Sequence, residues 1–159
     1  GGHCIAVDPW FIVDACPEQT RLIRTAREVN DAKPEWVLSR VSSALEGLHR
    51  EQPSATRSDM TVACLGLAFK PDIDDLRGSP ALGITEKVAT LGCRVMVVEP
   101  NIDALPTTLN QPNIELASLD EALAQADAVC VLVKHKAFIE NVDAVSAKPS
   151  IIDAVGLLG

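Results

Sequence analysis

Four short apolar runs, at 61–67, 94–98, 128–133 and 150–153, are separated by stretches that read as helices at 79–91, 119–126 and 136–146. Within these runs (TVACLGL, RVMVV, AVCVLV, SIID) polar residues do not alternate with apolar ones, so both faces of each strand must be covered. Strands of that kind alternating with helices build a parallel sheet with helices on both faces. The expected fold is therefore α/β and Rossmann-like, with right-handed crossovers and ligands beyond the carboxyl ends of the strands.

The first third of the chain is organised differently. Residues 1–16 read as a cysteine-bearing loop with an apolar tail, Trp10-Phe11-Ile12-Val13. From about residue 18 to 49, Leu22, Ala26, Val29, Val37, Val41, Ala44 and Leu48 recur at three- and four-residue steps, which predicts a helix with one apolar stripe. Pro34 lacks an N–H and crowds the carbonyl four residues back, so the stretch should kink or split there. The stripe packs against its own domain or against a partner; periodicity does not choose. Residues 52–60 turn polar and read as a linker. Three parts follow: 1–51 as the cysteine loop and connecting helix, 52–60 as linker, and 61–159 as the sheet domain.

Two segments carry candidate chemistry. In Gly1-Gly2-His3-Cys4-Ile5-Ala6-Val7-Asp8-Pro9, two glycines permit close approach of a substrate to the main chain while Cys4 is presented to it. A carboxylate four positions on, Asp8, could act as a general base. The plain alternatives are a cysteine packed as a small hydrophobe and an aspartate that forms a turn before proline. In the second segment the first strand runs into Gly66-Leu67-Ala68-Phe69-Lys70-Pro71, an acidic turn with Asp72, Asp74 and Asp75, and then Arg77-Gly78-Ser79-Pro80. Ser79 and Pro80 mark a helix start, and with Lys70 and Arg77 they suit an anion such as phosphate. Alternatively Lys70 and Arg77 only neutralise the three aspartates. Glu99, after the second strand, stands where a dinucleotide fold can bind a ribose, but no glycine fingerprint precedes it. Lys134, His135 and Lys136, at the end of the third strand, read as a solvated loop, the alternative being that they face a nucleotide.

Composition excludes several classes. A net charge of −8 argues against nucleic-acid binding. No apolar run approaches the roughly 20 residues of a membrane span, which makes a cytoplasmic protein the expectation. Five cysteines without C-x-x-C spacing predict reduced thiols, with Cys64, Cys93 and Cys130 in the core, and three scattered histidines predict no metal.

The strings GGHCIAVDPWFIV, TAREVNDAKP and GLAFKPDIDDLRGSPAL, in this order, resemble the UDP-glucose/GDP-mannose dehydrogenase family, the nucleotide-sugar 6-dehydrogenases. The resemblance implies an NAD-dependent oxidation of a sugar 6-hydroxyl to a carboxylate on a UDP-sugar, with Cys4 as nucleophile and Asp8 assisting hydrolysis. It implies substrate contacts from Gly1, Gly2, His3, Phe69 and Lys70, a contact of Arg77 with the cofactor pyrophosphate, and a homodimer built on the connecting helix. His3 and Val7 stand where glucose-type members carry a serine and a lysine, so the likeness is to the branch that acts on UDP-N-acetyl-D-mannosamine. No G-x-G-x-x-G occurs and residue 1 is not methionine, so the N-terminal NAD-binding domain is expected to be absent and the chain to be a C-terminal part, inactive alone. The alternatives are a non-catalytic UDP-binding and dimerisation module, or a dehydrogenase for UDP-N-acetylglucosamine or UDP-glucose.

Overall fold

A computed structural model describes residues 3–159, the side chain of His3 excepted; Gly1 and Gly2 lie outside the described residues. Five strands form one parallel sheet in the order β3-β2-β1-β4-β5. They are β1 (Thr61–Leu65), β2 (Arg94–Val98), β3 (Ile114–Leu116), β4 (Ala128–Val131) and β5 (Ile151–Asp153). The chain moves outward from β1 in one direction to β3, then returns to β1's other side for β4 and β5. That reversal makes the gap between β1 and β4 the topological switch point, where ligands of such sheets bind.

Consecutive side chains of β1 feed two cores. Val62 and Cys64 join one cluster with Val95, Val97 and the helical Val37, Val41 and Leu45, while Ala63 and Leu65 join another with Met96, Val129, Val131 and Phe138. The first core is roofed by α3 (Lys33–Glu51) and α4 (Pro80–Ala89), the second by α5 (Leu119–Gln125), α6 (Lys136–Glu140) and α7 (Val142–Ser146). The sheet is thus covered on both faces, as its unbroken apolar strands require.

Two N-terminal helices precede α3: α1 (His3–Ala15) and α2 (Arg21–Asp31). The expected cysteine loop is a helix from His3 onward, with Pro9 inside it. The expected break near Pro34 falls at Ala32, which ends α2 and caps α3, so Pro34 occupies the first turn of α3, where no N–H is needed. The stretch expected as one helix over 136–146 divides at Asn141. β3 has only three residues at the sheet edge and was outside the expected strands.

Candidate functional site

At the carboxyl end of β1 the chain turns at Gly66, which has φ of 94°. A Cβ there would lie 2.5 Å from Cβ of Val133, so close passage past β4 requires glycine. The next residues are held by an acid from the neighbouring strand. Glu99, at the end of β2, accepts hydrogen bonds from the amides of Leu67 (2.7 Å) and Ala68 (3.0 Å). It also accepts from His135 Nε2 (3.0 Å) and from the amide and side chain of Asn101. Burial alone would raise its pKa, but the bonds from His135, Leu67 and Asn101 outweigh burial and bring the pKa down to about 2.

His135 completes the frame. It is fully buried, and its Nδ1 accepts from the amide of Asp72 at 2.9 Å. With Nδ1 an acceptor, the proton is assigned to Nε2 and points at Glu99, which makes the imidazole neutral; its 3.6 Å approach to the Asp72 carboxylate is then a contact and no ion pair. Asp72, at φ of 59°, returns a bond from Lys136 N–H to its own Oδ1 at 2.9 Å. Leu67, Ala68 and Asp72 are therefore tied down on both sides of Phe69, Lys70 and Pro71. The solvated-loop reading of His135 is corrected: it is a core residue, and its edge packs on Phe138. Glu99 likewise has its oxygens engaged by protein donors, which leaves no vacant acceptor for a ribose.

Phe69 and Lys70 line a cleft of about 380 Å³. Its walls come from the ends of β1 and β4, the loop after β5 and the starts of α3 and α4, which puts it at the switch point. Lys33, Lys70 and Lys134 all border it. Lys33 Nζ stands 3.7 Å from the Trp36 ring centroid, Lys134 Nζ donates to the Gly156 carbonyl, and Lys70 Nζ lies 5.7 Å from the Phe69 ring. Pro80 and Ala81, the first turn of α4, form another edge, with Ser79 accepting from the Ala81 amide at 3.2 Å. Three ammonium groups and a ten-residue helix start around one cleft suit a diphosphate, in a molecule whose net charge is −8. Lys33 was not singled out from the sequence; a lysine at a helix start carries no signal until the fold brings it to the strand ends. A larger hollow of about 650 Å³ lies between Glu99, Leu116 and Asn141; acidic Glu99, Asp103, Asp120 and Glu121 line it, which disfavours an anion there.

Arg77 points elsewhere. It is exposed and forks onto Asp75, with Nε 2.9 Å from Oδ1 and Nη2 2.8 Å from Oδ2. Asp75 therefore does neutralise Arg77, as the plain alternative held, whereas Asp72 serves His135 and Lys136.

Cys4 and Asp8 lie one turn apart on α1, both exposed, hence on one helix face. Ile5 and Ala6 line a second hollow of about 220 Å³ that shares Asn30, Pro34 and Pro80 with the lysine-bordered cleft. The cysteine helix and the cleft thus adjoin. Cys16 is also exposed, while Cys64, Cys93 and Cys130 are buried. Burial pushes the Cys64 thiol up to about 12 and raises the other two, so these three are inert. Among the described residues no three metal-binding side chains cluster, and no helix is long and apolar enough to cross a membrane. The calls on Gly1, Gly2 and the His3 side chain lie outside the described residues.

Known proteins are similar to this chain in sequence and fold. UDP-N-acetyl-D-mannosamine dehydrogenase of Campylobacter jejuni is 52% identical over 142 residues, 88% of this chain and 33% of that protein. The Escherichia coli K12 protein of the same name is 51% identical over 159 residues, 99% of this chain and 37% of its own length. The solved structure of a UDP-D-ManNAc dehydrogenase from Pyrococcus horikoshii superposes with a TM-score of 0.70 at 26% identity, covering all of this chain and 35% of that one. The chain spans about a third of the length of these relatives. Residues 63–159 match the model of the UDP binding domain of one family, well over half of the chain, and the chain accordingly belongs to the UDP-glucose/GDP-mannose dehydrogenase family.

Proposed function

We propose that this chain is the nucleotide-holding and cysteine-bearing part of an NAD-dependent UDP-N-acetyl-D-mannosamine 6-dehydrogenase. The observation that carries the reading is the lysine-bordered cleft at the switch point, adjoining the helix of Cys4 and Asp8. Relatives about half identical to this chain over the third of their length that it matches bear that enzyme's name. The diphosphate of the substrate lies against Lys33, Lys70 and Lys134, and Phe69 packs on the sugar-nucleotide.

Converting a 6-hydroxyl to a carboxylate removes four electrons, as two hydrides taken in sequence by nicotinamide cofactors. The residues present do not cradle such a cofactor. The β1 turn reads Gly66-Leu67-Ala68-Phe69-Lys70 in place of three spaced glycines, and Arg77 is the one residue here assigned to the cofactor's pyrophosphate. The cofactor is therefore assigned to residues N-terminal to this chain, and the chain alone should be inactive. Its own part begins at the aldehyde. Cys4 Sγ adds to the carbonyl carbon as a thiolate and holds the aldehyde as a thiohemiacetal; a nicotinamide bound by the rest of the protein would take the second hydride. Water then adds to the resulting thioester with Asp8 accepting its proton, and the C–S bond breaks to release the carboxylate and return the Cys4 thiolate. His3 is assigned to substrate-type selection.

The test is turnover by the full-length protein. It should reduce two NAD+ for each UDP-N-acetyl-D-mannosamine, and Cys4→Ser should abolish acid formation while UDP binding persists. Undiminished acid formation by Cys4→Ser would remove Cys4 from the mechanism. A second reading, a UDP-binding and dimerisation module without catalysis, is favoured by one observation: the described residues of this chain by themselves form a cleft bordered by three lysines and the start of α4. It predicts heat with UDP in calorimetry and no NAD+ reduction with any UDP-sugar.

A further inference from the structure

Pro9 lies inside α1, where a proline provides no N–H to the carbonyl four residues before it. That carbonyl belongs to Ile5, next to Cys4. It does not go unpaired: Arg27 of α2 reaches across and donates from Nη1 to the Ile5 oxygen at 3.3 Å. Arg27 is only 8% exposed and is the one described residue of α2 that is buried. Its Nη2 pairs with Asp31, while its Nε is buried and without a partner among the described residues. Burying a guanidinium with one N–H unsatisfied opposes folding. The bond to Ile5 gives this arginine a role that α2's own packing does not.

We propose that Arg27 is a positioning residue that replaces the backbone hydrogen bond deleted by Pro9, and so keeps the Cys4–Asp8 turn helical against α2. The proposal rests on the reading of Cys4 and Asp8 above. Those two side chains share a face only while residues 4–8 are helical. The turn also forms one wall of the hollow adjoining the nucleotide cleft, opposite Gly78 and Pro80. Loosening it separates the sulfur from the carboxylate without moving Lys33, Lys70 or Lys134. The expected signature is a loss in kcat with KM for the UDP-sugar unchanged.

The experiment is a double-mutant cycle in the full-length protein with Arg27→Met, Pro9→Ala and both together. Pro9→Ala returns an amide to position 9, so it should make Arg27 dispensable. Arg27→Met alone should speed hydrogen exchange at the amides of Asp8 and Trp10 and lower kcat, each about tenfold, the scale of one charge-assisted hydrogen bond. The double variant should return to within about twofold of the parent, and Arg27→Lys should recover part of the loss. A double variant as impaired as Arg27→Met overturns the proposal, as does unchanged exchange in Arg27→Met. General loosening would also speed exchange at Val62 and Val97 in the sheet, and that outcome too would count against it. Were Cys4→Ser to retain full turnover, the role of Cys4 would fall, while the exchange arm would still decide that of Arg27.

Discussion

Glu99 receives bonds from three directions, and its ionisation links the cleft to pH. Its carboxyl is lowered from 4.5 to about 2, so the folded state favours the charged form. The stabilisation is complete above pH 4.5 and fades as pH falls toward about 2, where the carboxyl protonates in the folded state too. Glu99→Gln should therefore lower the urea midpoint at neutral pH, and the gap to the parent should close on acidification below pH 4.5. It should also weaken UDP binding, because the amides of Leu67 and Ala68 lose the acceptor that sets the path into Phe69 and Lys70. A gap that does not vary with pH would mean that the charge of Glu99 is unimportant. Such residues were hard to identify in the sequence. An acid after a strand suggested a ribose contact, and a histidine between two lysines suggested solvent; both suggestions fail because pairing across 36 positions is a property of the fold. Lys70 and Phe69, by contrast, follow directly from strand, glycine and helix start.

Among the elements, α2 and α3 show how far periodicity reaches. Leu22 and Val29 belong to the same three-and-four spacing as Val37 and Val41, yet Leu22 is 83% exposed and Val41 fully buried. The spacing located both helices and the break between them, since Pro34 acts locally. It could not say that α3 alone lies on the sheet, nor that Leu45 would be buried with Val37 and Val41. Leu45→Ala should then cost about 2–5 kcal/mol by removing core contacts, while Leu22→Ala should change the stability of the single subunit, read at concentrations too low for association, by less than about 0.5 kcal/mol. Urea denaturation of the two variants reads the contrast directly. Where the sequence misled, a local signal was answered by a distant residue or was too short. Glycines and Pro9 suggested a loop at 1–16, but Arg27 supplies what Pro9 removes. β3 escaped because three residues, one of them the exposed Glu115, offer no period.

For the molecule as a whole, the uneven distribution of apolar side chains is the feature with consequences. The sheet domain exposes Ile139, Val155 and Leu158 to between 37% and 47%, while α1 and α2 leave Ile5, Phe11, Ile12, Leu22 and Val29 between 52% and 83% exposed. Scattered apolar residues on a surface are ordinary, but five on two packed helices form a face that a partner can cover. The family resemblance assigns a homodimer to this connecting helical region, and a second copy of α2 would supply the apolar surface that α3 supplies elsewhere. On that assignment the full-length protein sediments as a dimer, and Leu22→Glu with Val29→Glu weakens its association by well over tenfold, since two charges would then face an apolar surface. The heat of UDP binding should stay unchanged, because neither residue borders the cleft. A protein that remains dimeric with both glutamates would place its interface elsewhere, and the exposed face of α1 and α2 would then belong to the cofactor-binding part of the same chain.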